Sequence, residues 1–204
     1  MLRIMMTLIS KIAALLCLIL LSPILFLFGL FIYFKSPGPL FYRQKRVGKG
    51  GALFELYKLR TMAVNSQEIL NNILVRDPKM AEEWKAYGCF KKDPRIAGRI
   101  AKYARQFSVD ELPQLLNIVK GDMYFVGPRP LEVAFSSHLS SEDRNLRLSV
   151  KPGLTGLWQV GPRSYSSHRQ MMKYDRLYVK NKNSKLDFYI LLKTVGVVFK
   201  RTGF

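Results

Sequence analysis

The chain has 204 residues, enough for one domain with a core of its own. Lys and Arg number 33 against 14 Asp and Glu, and a formal net charge of +19 points to an anionic partner: nucleic acid, a membrane surface or a phosphorylated substrate. Cys17 lies inside an apolar run and Cys89 stands alone, which argues against a disulfide framework or a zinc cluster.

From the N-terminus, Ile12 to Phe34 reads IAALLCLILLSPILFLFGLFIYF, without a charge. As a helix of about 35 Å it matches the thickness of a bilayer core. It is longer than the apolar part of a signal peptide and lacks a small-residue cleavage site, so it is expected to stay as an anchor. Arg3 and Lys11 precede it, and Lys35, Arg43, Lys45, Arg46 and Lys49 follow, which draws both ends to the cytoplasmic side. Ser22-Pro23 stands in the middle. Pro23 lacks the N–H that would bond the Ile19 carbonyl, so a kink is expected there. A single crossing with a tolerated proline, and a helix that enters and leaves by one face, both satisfy these constraints. Nearly all the positive charge stays in the body that follows, beside anionic headgroups.

Next, KSPGPLFYRQKRVGKGGALFELYKLRTM suits a strand, a Gly turn and a second strand. Ser66 to Arg76 and Met80 to Tyr87 read as short helices separated by Asp77-Pro78. Between Gly98 and Phe107, Ile100, Tyr103, Ala104 and Phe107 recur at helical spacing with Arg99, Lys102 and Arg105 interleaved, a pattern for a membrane surface or a core face. Leu186 to Lys200 is too short to cross a bilayer once Lys193 is counted, and fits a core or interfacial helix. No internal repeat or low-complexity tract marks a second soluble domain.

In SVDELPQLL, Ser108 and Glu111 match a capping box, with Leu112, Leu115, Leu116 and Val119 forming one apolar face behind it. Pro113 places the helix start near Asp110. The same geometry serves chemistry. A helix N-terminus keeps carboxylates ionised, an ionised Asp110 can attack phosphorus, and Glu111 can help hold Mg²⁺ against a phosphate. Further on, Gly127-Pro128-Arg129-Pro130 sets one Arg between two prolines; the segment reads as a turn, or as a rigidly held guanidinium for phosphate recognition. In VKPGLTGLWQV, Gly153 and Gly156 allow a close backbone approach. His138 and His168 lie outside these segments and read as structural or solvent-facing.

Taken in order, KLRTM, SVDELPQLLNIVKGDMYFVGPRP, VKPGLTGLWQV and YDRLYVKN, after a basic-flanked anchor, resemble the bacterial sugar transferases called monotopic phosphoglycosyl transferases. The resemblance implies transfer of a sugar 1-phosphate from a UDP-sugar to undecaprenyl phosphate, with release of UMP, as the first membrane step of surface glycan assembly. It implies Asp110 as the nucleophile of a covalent phospho-sugar intermediate and Asp110 with Glu111 as the Mg²⁺ site. Arg105, Arg129 and Arg163 match substrate-binding positions, and Ser22-Pro23 matches the break of a re-entrant membrane helix. The expected fold is α+β and mostly helical: a re-entrant helix over residues 1–35, then a small cytoplasmic catalytic domain over 36–204 with amphipathic interfacial helices and a short β-hairpin.

GLWQV and the C-terminal pattern resemble the hexose-phosphate branch, which favours a UDP-hexose donor. Larger members of that branch carry extra membrane helices, so this chain is expected to be a minimal catalytic unit. Its expected setting is the cytoplasmic face of the bacterial inner membrane, in contact with membrane lipids and not nucleic acid; a homodimer is compatible with it. The competing reading is a membrane-tethered basic protein that binds anionic lipid or nucleic acid, with Asp110-Glu111 serving only as a helix cap.

Overall fold

The computed structural model describes residues 2–162 and 168–200. Its first helix, α1 (Leu2–Lys35), is also the longest, roughly 50 Å at 1.5 Å per residue. Pro23 lies inside it, and the helix continues through. The Ile19 carbonyl, deprived of an amide partner by Pro23, accepts a hydrogen bond from Ser22 Oγ at 2.7 Å. A side chain thus replaces the missing backbone donor, and the residues on both sides of Ser22-Pro23 belong to one helix.

One stripe of α1 belongs to the core. Ala14, with Cys17, Leu18 and Leu21 beside it, packs against Leu56, Leu115, Ile118 and Met123. Leu25 and Ile32, with Phe28, pack against Leu59, Ala101, Ala104 and Val109. The body therefore grips α1 from Ala14 to Ile32, roughly 27 Å of helix. Leu16, Leu20, Phe26 and Phe34 remain exposed on the other side. Arg60 fixes the exit from α1 by donating to the Ser36 and Pro39 carbonyls, both at 2.5 Å.

The hairpin forms as its sequence indicates. Strands β1 (Phe41–Val47) and β2 (Leu53–Leu59) pair antiparallel from Phe41↔Leu59 to Val47↔Leu53. Gly50 and Gly51, at φ 67° and 83°, take the left-handed conformations that turn the chain. Helices α2 (Ser66–Arg76) and α3 (Pro78–Tyr87) follow, the second started by Pro78 and by the Asp77 side chain accepting from Met80 N at 3.1 Å.

In α4 (Gly98–Gln106) the expected apolar face splits. Ala101 and Ala104 are buried in the cluster that contains Leu25 and Ile32, whereas Ile100 and Tyr103 stay exposed beside Arg99 and Lys102. Small residues let α1 and α4 approach closely, which is why the alanines take the contact.

After a 3₁₀ segment (Val109–Gln114) come α5 (Leu115–Lys120), β3 (Tyr124–Val126), β4 (Leu131–Glu132), α6 (Val133–Ser137) and α7 (Ser141–Leu148). β4 adds to the free edge of β1. β5 (Gly153–Thr155) pairs parallel with β3, and α8 (Leu157–Val160), α9 (His168–Asn181) and α10 (Ser184–Phe199) complete the described chain. Val126, Tyr178 and Ile190 form one core cluster here, and Leu131, Met171 and Met172 another. α10 buries Ile190 but leaves Phe188, Leu192, Val195 and Phe199 exposed.

Asn117 joins the hairpin to α5. Fully buried, it accepts from Tyr57 N at 3.2 Å and donates to the Glu55 carbonyl at 2.6 Å and to Asp122 at 3.3 Å. Asn117→Leu keeps the volume but strands a backbone donor and an acceptor of β2. A loss of about 3 kcal/mol is expected, read as a thermal midpoint lower by roughly 5–10 °C in detergent.

Candidate active site

Asp110 and Glu111 lie in the 3₁₀ segment immediately after α4. Between the two elements Ser108 adopts φ 57°, the one positive φ outside glycine among the described residues. Its N–H bonds the Arg105 carbonyl and its carbonyl accepts from Glu111 N, so the chain reverses within three residues and sets the acids beside the last turn of α4. The expected capping box does not form. A capping residue is extended, whereas Ser108 is left-handed and makes no side-chain cap bond. Pro113 would also sit too deep in a helix capped there, because its absent amide is the one Val109 would require, and the α-helix begins only at Leu115.

The reversal buries the first acid and leaves its neighbours only partly open to solvent. Asp110 is 7% exposed. Glu111 Oε1 receives two cations: Arg129 Nη2 at 2.8 Å, from the loop between β3 and β4, and Lys58 Nζ at 3.3 Å, from β2. Arg105 Nη1 reaches Thr61 Oγ1 at 3.4 Å, just past the end of β2. Burial pushes the Asp110 carboxyl up to about 6, with Lys58, Arg105 and Arg129 opposing the shift and Glu111 adding to it. Burial likewise holds Lys58 below its ordinary value, against the pull of Glu111. The Glu111 carboxylate chiefly raises Arg129.

Arg129 is aimed by the backbone under it. Gly127 N donates to the Thr155 carbonyl and Gly153 N to the Pro128 carbonyl, each at 2.9 Å, zipping the loop onto β5. A Cβ on Gly153 would lie 2.0 Å from Gly127 N, and one on Gly156 2.2 Å from Gly127 O. The close approach expected of these two glycines is therefore real, and steric space, not left-handed backbone, is what it needs.

The structure brings together Asp110, Glu111, Arg105 and Arg129. Arg163 lies outside the described residues, and Ser22 and Pro23 belong to α1. Lys58 is a site residue to which the sequence assigned no role. It stands in the Lys-Leu-Arg-Thr-Met stretch, but no local pattern separates it from the other basic residues; only the pairing of β2 with the acid segment reveals it. Among the described residues no group of three or more His, Cys, Asp or Glu converges as a metal cage. The adjacent carboxylates of Asp110 and Glu111 are instead the sparse oxygen donor set that suits Mg²⁺, which retains waters and takes further oxygens from substrate phosphates.

A buried carboxylate beside an acid bound by two cations, with a third close by, is an arrangement able to accommodate phosphate oxygens. The chain belongs to the bacterial sugar transferase family, whose model matches residues 1–201. It is 40% identical over 195 residues to the undecaprenyl-phosphate galactose phosphotransferase of Salmonella typhimurium, across 94% of this chain and 40% of that protein. It is 37% identical over 190 residues to the exopolysaccharide production protein ExoY of Sinorhizobium fredii, across 93% of this chain and 83% of that one. Over 191 residues it is 37% identical to the UDP-glucose:undecaprenyl-phosphate glucose-1-phosphate transferase of Caulobacter vibrioides, across 90% and 66%. The chain thus spans about two fifths of the Salmonella relative.

Because the folded pKa of Asp110 lies above the ordinary 3.8, the native state binds this proton more tightly than the unfolded chain. Its contribution to stability therefore falls as pH rises from about 4 to about 6 and stays low above that. Comparing thermal midpoints of wild type and Asp110→Asn in metal-free buffer at pH 4.5 and 7.5 checks the sign: the variant should gain relative to wild type at the higher pH.

Proposed function

We propose that this chain transfers a sugar 1-phosphate from a UDP-sugar to undecaprenyl phosphate, giving undecaprenyl-diphosphate-sugar and UMP. The observation that carries the proposal is the buried Asp110 beside Glu111, Lys58, Arg105 and Arg129. A carboxyl with a pKa near 6 is ionised at neutral pH and more nucleophilic than an ordinary carboxylate. Its oxygen attacks the phosphorus that bears the sugar. The bond to the bridging oxygen breaks, and UMP departs with that oxygen and the electron pair. An oxygen of undecaprenyl phosphate then attacks the same phosphorus, the bond to Asp110 breaks, and the carboxylate is restored.

Arg105 and Arg129 bind phosphate oxygens in this scheme, and Arg163 adds a further contact. Lys58, paired to Glu111, keeps that carboxylate in place. Asp110 and Glu111 would hold Mg²⁺, which would supply the charge neutralisation an anionic nucleophile needs beside an anionic phosphate. Two displacements at one centre also suit the setting, since the soluble nucleotide leaves before the lipid phosphate arrives.

The packing of α1 along the body supports a re-entrant, monotopic attachment, and the basic residues flanking Ile12–Phe34 favour the cytoplasmic face of the inner membrane. Were Ile12–Phe34 to cross the bilayer fully, α5, packed beside Ala14, Cys17, Leu18 and Leu21, would be drawn into hydrocarbon. The exposed apolar side chains of α4 and α10 suit contact with membrane lipids. The names of the relatives favour a hexose donor and a role in surface glycan synthesis.

The test is UMP release by protein held in detergent or nanodiscs, given undecaprenyl phosphate, Mg²⁺ and a panel of UDP-sugars. Release is expected with UDP-glucose or UDP-galactose, abolished by EDTA, and reduced about 10³-fold or more in Asp110→Asn. Silence across the panel from folded protein would overturn the reaction.

A further inference from the structure

Arg147 and Asp175 lie outside the acid site, in α7 and α9, yet both are nearly fully buried, at 8% and 2% exposure. The guanidinium of Arg147 is forked between two acceptors. Nη1 pairs with the Asp175 carboxylate and touches Met172 Sδ at 3.6 Å, and Nη2 donates to the backbone carbonyl of Arg129. The neighbouring acid, Asp143, is taken by Arg176 at 2.5 Å.

The position of this contact matters because of the prolines. Pro128 and Pro130 have no N–H, so apart from the Arg129 amide the loop offers carbonyls as its backbone handles. All three are held, each from a different element: Pro128 by Gly153 N of β5 at 2.9 Å, Arg129 by Arg147 of α7, and Pro130 by Arg46 Nη1 of β1 at 3.4 Å. The middle one sits on the residue whose side chain holds Glu111.

Burying an ion pair is a poor way to add stability. Burial pushes the Asp175 carboxyl up to about 6 and lowers Arg147, so desolvation opposes both charges. An apolar pair of similar volume would fill the space at least as favourably. The fork has one property that an apolar pair lacks: it fixes where the Arg129 carbonyl lies, with Asp175 setting the plane of the guanidinium.

We propose that Arg147 and Asp175 are positioning residues for the Pro-Arg-Pro loop, pinning the Arg129 backbone so that its guanidinium meets Glu111 and a bound phosphate. The catalytic part of this role rests on the reaction proposed above; the pinning itself does not.

Three variants of the full chain separate position from stability: Arg147→Met/Asp175→Leu, Arg147→Lys, and Arg176→Gln as a control in the adjacent ion pair. Hydrogen–deuterium exchange over 127–131, thermal midpoint and UMP release are measured on each. In the double variant the loss of two desolvated charges offsets the stranded Arg129 carbonyl, so its midpoint should lie near wild type, while the loop amides exchange at least about tenfold faster and kcat falls about 10–100-fold. Arg147→Lys retains the charge but not the fork, and should lose activity in the same direction while folding normally. Arg176→Gln should leave loop exchange and kcat near wild type.

A double variant with unchanged loop exchange would overturn the pinning. Faster exchange with wild-type kcat would overturn the positioning role. If wild type itself releases no UMP from any donor, the reaction falls, and loop exchange still decides whether the pair holds the loop.

Discussion

Two cations from distant parts of the chain meet on one oxygen of Glu111. Lys58 arrives on β2 and Arg129 on the loop after β3, so three segments must be held in register at once. Each has its own device. Asn117 locks α5 to β2 and thus sets Lys58 against the acids; the bare backbones of Gly127, Gly153 and Gly156 let the Pro-Arg-Pro loop sit on β5; and left-handed Ser108 turns α4 into the acid segment. None of these touches a substrate atom in the proposed reaction. Geometry at the acid pair is inherited from backbone contacts, which is how a body of this size aims a few side chains.

The apolar helix is as much a core element as an anchor. Among the described residues two of the four core clusters include residues of α1, and those clusters also contain Val109 and Leu115, on either side of the acids. A helix that merely tethered the body would have an apolar surface all round facing lipid. Here a stripe from Ala14 to Ile32 faces protein, and the site is built directly on it. In the attachment proposed above, the anchoring helix and the position of the acids would be mechanically coupled, and a lipid phosphate would enter close to α1.

Much of this architecture is written in local signals. Asp77-Pro78 divides α2 from α3 because a proline starts a helix well and continues one badly, and Gly50-Gly51 turns the hairpin because the turn needs positive φ. Gly153 and Gly156 were readable as places of close approach, although not what approached. The acid segment misleads for a physical reason. Ser108 and Glu111 have the spacing of a capping box, but that spacing is silent on the φ of Ser108, and Pro113 competes with the helix the box would start. The face of α4 divides because helix spacing says which residues are neighbours, not whether the partner helix selects small ones. Lys58 and Arg147 were invisible because each acts through a residue far away in the chain, and nothing in a basic sequence marks two cations among many.

The surplus of positive charge takes on a specific meaning once the site is seen. Spread over the surface it draws anions toward the protein, a long-range effect that salt weakens. Inside the site the balance reverses. Burial, the largest influence, and the neighbouring Glu111 charge together outweigh the support of Lys58, Arg105 and Arg129, so the carboxylate sits at an elevated pKa despite its cationic neighbours. An environment that left Asp110 fully stabilised by its cations would hold a quiet ion pair and a weak nucleophile. One in which desolvation prevails keeps the carboxylate reactive and leaves the cations with attraction to spare for phosphate oxygens. In the reaction proposed above, the same few groups would both draw a phosphate in and leave Asp110 a reactive carboxylate.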